Sequence, residues 1–163
     1  MRIGRVVNWE RGILAAWRRS ANNADRPDID VWGKLPPNVC WVTARIEDVD
    51  VPQIHVIGSS DWKDIFGTYR LVDIASQAFH GTDDKYTHRS RILEIENAYA
   101  TGKHFEPIAM VASSGEGPFV VIQGNHRAVA MQRRGLLVGQ TVFVGLHEEI
   151  SASFGWFRQA VEN

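Results

Sequence analysis

The stretch FVVIQGNHRAVA, residues 119–130, decides the fold, because it changes from a strand pattern to a helix pattern within a few residues. Residues 119–122 are four consecutive apolar residues, which predict a buried β-strand. Gln123-Gly124-Asn125 reads as a tight turn. From His126 to Arg134 the apolar residues return at helical spacing, and Gly135 is a typical helix end. The sequence therefore predicts a strand, a sharp turn and a helix in direct succession.

A turn of this kind favours anion binding. Glycine after a strand lets the backbone bend sharply, and the helix that follows points its first N–H groups and the positive end of its dipole into the turn. Arg127 can bind phosphate oxygens through its guanidinium, and Asn125 and His126 can donate hydrogen bonds to the same group. Gly124, Asn125, His126 and Arg127 are therefore predicted to bind phosphate. The alternative is an ordinary strand-to-helix corner with a solvated histidine.

The rest of the chain reads as alternating strands and helices. Short apolar runs predict four further strands, at residues 39–42, 54–57, 108–111 and 142–144. Helical spacing predicts helices at 9–19, 68–79 and 90–102, and a closing helix that carries Phe154, Phe157 and Val161. Polar loops are expected at 20–38 and 80–88, and residues 113–118 are typical of a hairpin connection. We expect an α+β fold, a small mixed β-sheet with packed helices, divided into an N-terminal helix and linker at 1–38 and a main domain at 39–163.

Length and composition place the chain among ordinary globular domains. It has 163 residues, of which 44% are hydrophobic and 23% charged. No apolar run is long enough to predict a membrane span, and the first residues do not read as a secretory signal. The single cysteine, Cys40, excludes an internal disulfide, and its apolar context predicts a buried side chain. These features favour a cytoplasmic location.

The charge of the chain disfavours a dedicated DNA-binding protein. The net charge is −1, whereas duplex binders usually carry a strong positive excess. Beyond the N-terminal arginines, the basic residues form a small group at Arg89, Arg91, Arg127, Arg133 and Arg134. That number suits a site for a few phosphates, and we expect no membrane partner.

The order of the elements resembles the ParB/sulfiredoxin-like superfamily. The resemblance covers residues 88–146 and is carried by a helix that ends at Gly102, by Pro107-Ile108 and a strand, and by FVVIQGNHRAVA. It implies the same fold and a nucleoside triphosphate bound at the turn, with Gly124 to Arg127 facing its phosphates. Superfamily members include sulfiredoxin, CTP-hydrolysing chromosome-partitioning proteins, free-serine kinases and some nucleases.

Two departures from the superfamily pattern narrow the choice. Sulfiredoxin has its catalytic cysteine at the position of Asn125, so we reject sulfinic-acid reduction. Partitioning proteins carry Gly-Glu-Arg-Arg at the turn and a helix-turn-helix domain after it, so His126 argues against sliding-clamp behaviour. Gly-Asn-His-Arg is closer to the kinase-like and stand-alone members.

The resemblance implies an ATP-dependent phosphotransferase or a nucleotide hydrolase, with ATP or another nucleoside triphosphate and Mg²⁺ as cofactors. The partners expected on this basis are a nucleotide and a small-molecule substrate. His126 and Glu94 are the candidate catalytic residues, and Arg91 is a further candidate for phosphate binding. Glu96, Glu47 and Asp48 remain alternative bases. A nuclease that uses the same turn and a non-catalytic nucleotide-sensing module are the alternative functions.

Two other groups of residues were considered as sites. His80, Asp83, Asp84 and His88 could form a metal loop or a lid, but their spacing fits no defined motif, so we predict no metal site. Trp32 and Trp62 lie in polar contexts and could line a binding surface.

Overall fold

The computed structural model describes residues 1–6, 31, 33–79 and 88–162. The strands in this part of the chain are β1 (Arg2–Val6), β2 (Cys40–Arg45), β3 (Ile54–His55), β4 (Ala109–Ala112), β5 (Phe119–Gln123) and β6 (Thr141–Leu146). The helices are α1 (Ser60–Phe66), α2 (Leu71–Ser76), α3 (His88–Ala100), α4 (Asn125–Arg133), α5 (Ile150–Ser153) and α6 (Gly155–Glu162), with a short 3-10 helix at Val51–Gln53.

The strands form one mixed sheet in the order β1-β2-β6-β4-β5-β3. β1 with β2, β2 with β6, and β4 with β5 are antiparallel, whereas β4 with β6 and β3 with β5 are parallel. This mixed sheet with packed helices confirms the predicted α+β class. β1 was not predicted, and it lies at the edge of the sheet, where Ile3 stands opposite Ala44.

The centre of the sheet is buried on both faces. Every residue of β4 is buried, and so are Phe119 to Ile122 of β5. Since successive side chains of a strand point to opposite faces, a run without an exposed residue requires cover on each side. α4 packs against α2 and α3, and α6 packs on β5. The N-terminus of α4 is therefore attached to the most buried part of the fold.

Most predicted elements are confirmed within a few residues, and two helices are wrong in extent. The helix predicted at 68–79 covers only Leu71–Ser76, because residues 69–70 run extended beside β3. There the carbonyl of Tyr69 accepts a hydrogen bond from the backbone N–H of Val56. The closing helix is interrupted at Phe154, which separates α5 from α6.

Two side chains lie in surroundings that their neighbours in sequence did not indicate. Trp62, expected in a loop-like segment, belongs to α1 and is only 2% exposed. Cys40, expected to be buried, is exposed at the start of β2, where it alternates with the buried Trp41.

Some predictions fall outside the described residues. These are the helix at 9–19, the residues His80, Asp83 and Asp84, and Trp32. His88 was assigned to the same polar loop, but it is the first residue of α3. Within the described part of the chain, every helix is too short or too polar to cross a bilayer.

Candidate functional site

The predicted turn lies where two parallel strands end side by side. β3 pairs with β5 in parallel, with Ile54 opposite Phe119 and His55 opposite Val120. The carboxyl ends of the two strands therefore lie on the same side of the sheet, and the chain continues into α1 after β3 and into α4 after β5. Crevices outside the carboxyl ends of parallel strands are a common place for ligands.

Gly124 forms the turn between β5 and α4 in a conformation that other residues resist. Its φ is 84° and its ψ is 32°, the left-handed region. A Cβ at this position would lie 2.6 Å from Cγ2 of Ile108. The Gly124 carbonyl accepts a hydrogen bond from the N–H of Ala128 at 2.8 Å, and no side chain caps the N-terminus of α4. The start of this helix is thus built without the Ser, Thr or Asp that usually occupies it.

The side chain of Asn125 connects the end of β5 to the end of β3 through a hydrogen bond. Its Oδ1 accepts a hydrogen bond of 2.9 Å from the backbone N–H of Ile57, a buried residue just after β3. The oxygen of this amide is therefore used within the protein. The amide nitrogen is the part of Asn125 that can donate to a phosphate oxygen.

Arg127 folds back over the glycine turn. The same Cβ built on Gly124 would lie 2.8 Å from Nη2 and 2.9 Å from Nε of Arg127, and Nη1 donates a hydrogen bond to the carbonyl of Glu106. The bond to Glu106 holds the guanidinium over the turn. The cation predicted for phosphate binding lies at the turn, as the sequence predicted.

Tyr99 lies near this guanidinium and was not predicted as a site residue. Burial raises the pKa of the Tyr99 hydroxyl, and the charge of Arg127 acts in the opposite direction. Among the described residues, the buried hydroxyl oxygen of Tyr99 has no hydrogen-bond partner. A buried polar atom without a partner is costly, and a ligand oxygen is one group that could satisfy it.

His126 stands at the end of a line of hydrogen bonds that begins on α1. Its Nε2 lies 2.6 Å from Nδ1 of His88, and Nε2 of His88 lies 2.9 Å from Oδ2 of Asp61. The hydroxyl of Ser59 donates to the other carboxylate oxygen, Oδ1. Three elements, α1, α3 and α4, thus each contribute an ionisable side chain to one network.

Trp62 holds the two imidazoles from one side. Its ring stacks on His88 with centroids 4.3 Å apart and an interplanar angle of 19°, and it lies 5.2 Å from His126. The ring contacts of Trp62 are with other side chains of the protein. They do not test the prediction that Trp62 lines a binding surface. Its buried ring restricts the rotation of His88, whose side chain is 17% exposed.

The electrostatics of Asp61 favour its ionised form. Burial raises the pKa of this carboxyl, but the hydrogen bonds from Ser59 and His88 outweigh burial, and the pKa is lowered from its ordinary value. The carboxylate is therefore a hydrogen-bond acceptor at neutral pH.

The other two predicted site residues lie on α3 and pair with each other. Arg91 and Glu94 form an exposed ion pair on α3, with Nη1 and Oε2 3.1 Å apart. Glu94 follows His88 by six residues, about 9 Å along the helix axis and about 240° around it. Glu94 therefore lies on a different face of α3 from the imidazole that contacts His126.

Arg133, part of the predicted basic group, has a role in packing. Its Nε lies 2.8 Å from Oε1 of Glu96, and its Nη1 donates to the carbonyls of Ala75 and Gln77 at 3.1 and 2.7 Å. The guanidinium also lies 4.0 Å from the centre of the Phe79 ring. These contacts connect α4 to α3 and to the end of α2.

Among the described residues, neither a group of metal-ligating side chains nor the surface cavity along α6 coincides with the turn. The described residues contain no group of three or more His, Cys, Asp or Glu side chains arranged to hold a metal ion. A surface cavity of about 460 Å³ lies along α6, lined by residues that include Lys34, Trp156 and Glu162. None of residues 124–127 lines it, so the candidate site differs from this cavity.

The sequence does not identify Asp61 and His88 as members of the hydrogen-bonded network that ends at His126. Asp61 follows the short strand β3 through Gly58-Ser59, much as Asn125 follows β5 through Gly124. That parallel could have pointed to Asp61, but only with the knowledge that β3 and β5 are neighbours. The sequence indicates His88 only as part of a metal loop or a lid.

Comparisons of the chain with protein-family models, with curated proteins and with solved structures gave no significant match.

Proposed function

We propose that this protein is a nucleotide-dependent enzyme that holds the phosphates of a nucleoside triphosphate at the N-terminus of α4. The observation that carries the proposal is a helix start that no side chain caps, with the guanidinium of Arg127 lying over the Gly124 turn. The helix dipole and backbone N–H groups attract an oxyanion there, and the guanidinium of Arg127 neutralises its charge. The resemblance to the ParB/sulfiredoxin-like superfamily supports the same assignment.

The reaction that fits this arrangement is phosphoryl transfer to a small molecule or hydrolysis of the nucleotide. Such reactions depend on positioning, charge neutralisation and an oriented nucleophile. His126 is the catalytic candidate that we favour over Glu94, because its imidazole belongs to the turn and Glu94 is paired with Arg91 on another face of α3. Mg²⁺ would enter with the nucleotide, as it commonly binds substrate phosphates and few protein groups.

Thermal shift measurements with ATP and Mg²⁺ test the binding site. A ligand at a hundred times its Kd stabilises the folded state by about 2.7 kcal/mol, which raises Tm by about 5–10 °C in a chain of this size. We expect this shift in the parent and in Arg134→Ala, an exposed arginine at the far end of α4. We expect most of it to disappear in Arg127→Ala. Equal shifts in all three proteins would place the nucleotide elsewhere.

Product analysis then separates the possible functions. Release of inorganic phosphate, or its transfer to an acceptor, supports the enzyme, and its loss in His126→Ala assigns the histidine. Stabilisation without turnover indicates a nucleotide-sensing module. Salt-sensitive DNA binding with nicking would favour a nuclease, which the net charge of −1 argues against.

A further inference from the structure

A buried hydroxyl group near the carboxyl end of α3 lacks a partner. Among the described residues, Oη of Tyr99 is shielded from solvent and forms no hydrogen bond. Tyr99 shares the inward face of α3 with the buried Ile92 and Ile95, because the three residues follow one another at helical spacing. A buried polar atom without a partner destabilises a fold, and a bound ligand is one group that can supply the partner.

Tyr99 lies beside the segment that holds Arg127. Its ring contacts the ring of Phe105, with centroids 4.7 Å apart, and the carbonyl of the next residue, Glu106, accepts a hydrogen bond from the guanidinium of Arg127. The guanidinium in turn lies over Gly124 at the start of α4. Burial raises the pKa of the Tyr99 hydroxyl and the charge of Arg127 opposes this effect, so the two groups are close enough to interact.

Both groups donate hydrogen bonds at neutral pH. Burial holds the pKa of the phenol above its ordinary value of about 10, so the hydroxyl of Tyr99 keeps its proton. A guanidinium is always charged and has donors only. A ligand atom that bonds to both groups must therefore accept hydrogen bonds, and negative charge on that atom strengthens both bonds. The chemistry of the pair fits an oxyanion such as a phosphate group.

We propose that Tyr99 is a binding residue of the α4 turn, and that its hydroxyl donates a hydrogen bond to the phosphate group that Arg127 binds. The inference rests on the proposed function in placing a phosphate group at the turn. Because the hydroxyl is shielded from solvent, the ligand reaches it when the side chain of Arg127 turns from the carbonyl of Glu106 to the phosphate. A guanidinium binds a phosphate more strongly than a neutral carbonyl, which favours this exchange.

Tyr99→Phe tests the hydroxyl alone, since it keeps the ring that contacts Phe105. We expect the variant to have a Tm equal to or above that of the parent, because no hydrogen bond within the protein is lost. Its affinity for inorganic phosphate, and for ATP with Mg²⁺, should fall about tenfold, the effect of one hydrogen bond to a charged group.

The matched control is Tyr69→Phe. The hydroxyl of Tyr69 accepts a hydrogen bond of 2.9 Å from Nε2 of Gln159. This control should therefore lower Tm and leave both affinities unchanged. A fall in Tm of Tyr99→Phe as large as that of Tyr69→Phe would show that the hydroxyl of Tyr99 already has a partner in the protein, and would overturn the inference.

Carbon-13 spectra of the ring carbon that bears the hydroxyl follow the proposed contact directly. The full chain has three tyrosines, so substitution of single tyrosines assigns the signals. Addition of inorganic phosphate should shift the signal of Tyr99 and leave that of Tyr69 in place. The shift should disappear in Arg127→Ala.

The outcomes separate this inference from the proposed function. If the parent binds the probes and Tyr99→Phe binds them equally well, or if the signal of Tyr99 does not move, the role of Tyr99 is overturned and the nucleotide site stands. Phosphate binding that depends on Tyr99, without stabilisation by ATP and Mg²⁺, supports the role of Tyr99 and overturns the proposed function. A parent that binds neither probe overturns both.

Discussion

Two substitutions of Asn125 should separate its part in folding from its part in binding. In Asn125→Ala the buried N–H of Ile57 loses the acceptor that now lies 2.9 Å away. An unsatisfied buried donor costs about 1–3 kcal/mol, so Tm should fall by about 2–12 °C. Asn125→Asp keeps an acceptor oxygen and places a negative charge in the first turn of α4, which the helix dipole favours by about 0.3–1 kcal/mol. Its Tm should equal or exceed that of the parent.

For nucleotide binding the order of the two variants should be reversed: Asn125→Asp, the more stable one, should bind nucleotide more weakly than Asn125→Ala. A carboxylate about 5 Å from a phosphate charge, at an effective dielectric constant of about 20, repels it by about 3 kcal/mol, which weakens binding by about a hundredfold. Asn125→Asp should therefore be stable and unresponsive to ATP with Mg²⁺, whereas Asn125→Ala should be less stable and keep part of its response. The assay is a thermal shift titration of each variant from low to saturating nucleotide. A Tm increase in Asn125→Asp equal to that of the parent would show that no phosphate lies beside this residue.

Three further substitutions test the packing around the site by urea unfolding. Gly124→Ala adds a methyl group 2.6 Å from a neighbouring side chain at a φ of 84°, and should lower the free energy of unfolding by about 3 kcal/mol. At Gly135 φ is 66° and no atom lies within 4 Å of the added methyl group, so Gly135→Ala should cost about 1 kcal/mol. Equal losses in the two variants would contradict the close contact at Gly124. Arg133→Ala should lower the free energy of unfolding by about 3 kcal/mol, because it leaves a carboxylate and two carbonyls without their partner. Arg134→Ala should change it by no more than about 0.5 kcal/mol. Similar small losses in both variants would show that the contacts of Arg133 are not stabilising. Burial lowers the pKa of His55 below 6.5, although a backbone hydrogen bond opposes this effect. The unfolded state therefore binds a proton at this histidine more readily than the folded state does. The free energy of unfolding should fall as the pH drops below about 6.5. His55→Gln should reduce that slope, and an identical slope would assign the pH dependence to other groups.

The segment around the turn could be predicted because its signals are local. The change from a continuous apolar run to helical spacing occurs within residues 119–130, and Gly124 marks the point of change. Placing Arg127 at the turn also needed only the geometry of one helix. For this segment the predicted strand, turn and helix agree with the structure to within about one residue at each boundary.

The rest of the site depends on which strands are neighbours, and no local pattern states this. Asp61 and His88 reach His126 because β3 pairs with β5 in parallel and α3 packs against α4. β3 is only two residues long, so its pairing is weakly specified by sequence. Arg91 and Glu94 were predicted from their residue types, which suit the chemistry. In the structure they are i,i+3 neighbours on one helix and pair with each other.

The distribution of positive charge bears on what the turn can hold. Of the five arginines expected to serve phosphates, Arg133 is committed to a carboxylate and two carbonyls, and Arg91 to an exposed ion pair. Arg89 donates to a backbone carbonyl of α1, and Arg134 lies at the far end of α4, about 12 Å from its start. Arg127 therefore supplies the guanidinium at the turn, and the helix start adds about half a charge. A triphosphate carries more negative charge than these two can balance, whereas Mg²⁺ cancels half of the charge of a fully ionised nucleoside triphosphate. If the turn binds a nucleotide as proposed, the charge balance favours the magnesium complex over the bare nucleotide. The position of Arg127, whose guanidinium donates to the carbonyl of Glu106, then becomes the most sensitive feature of the site.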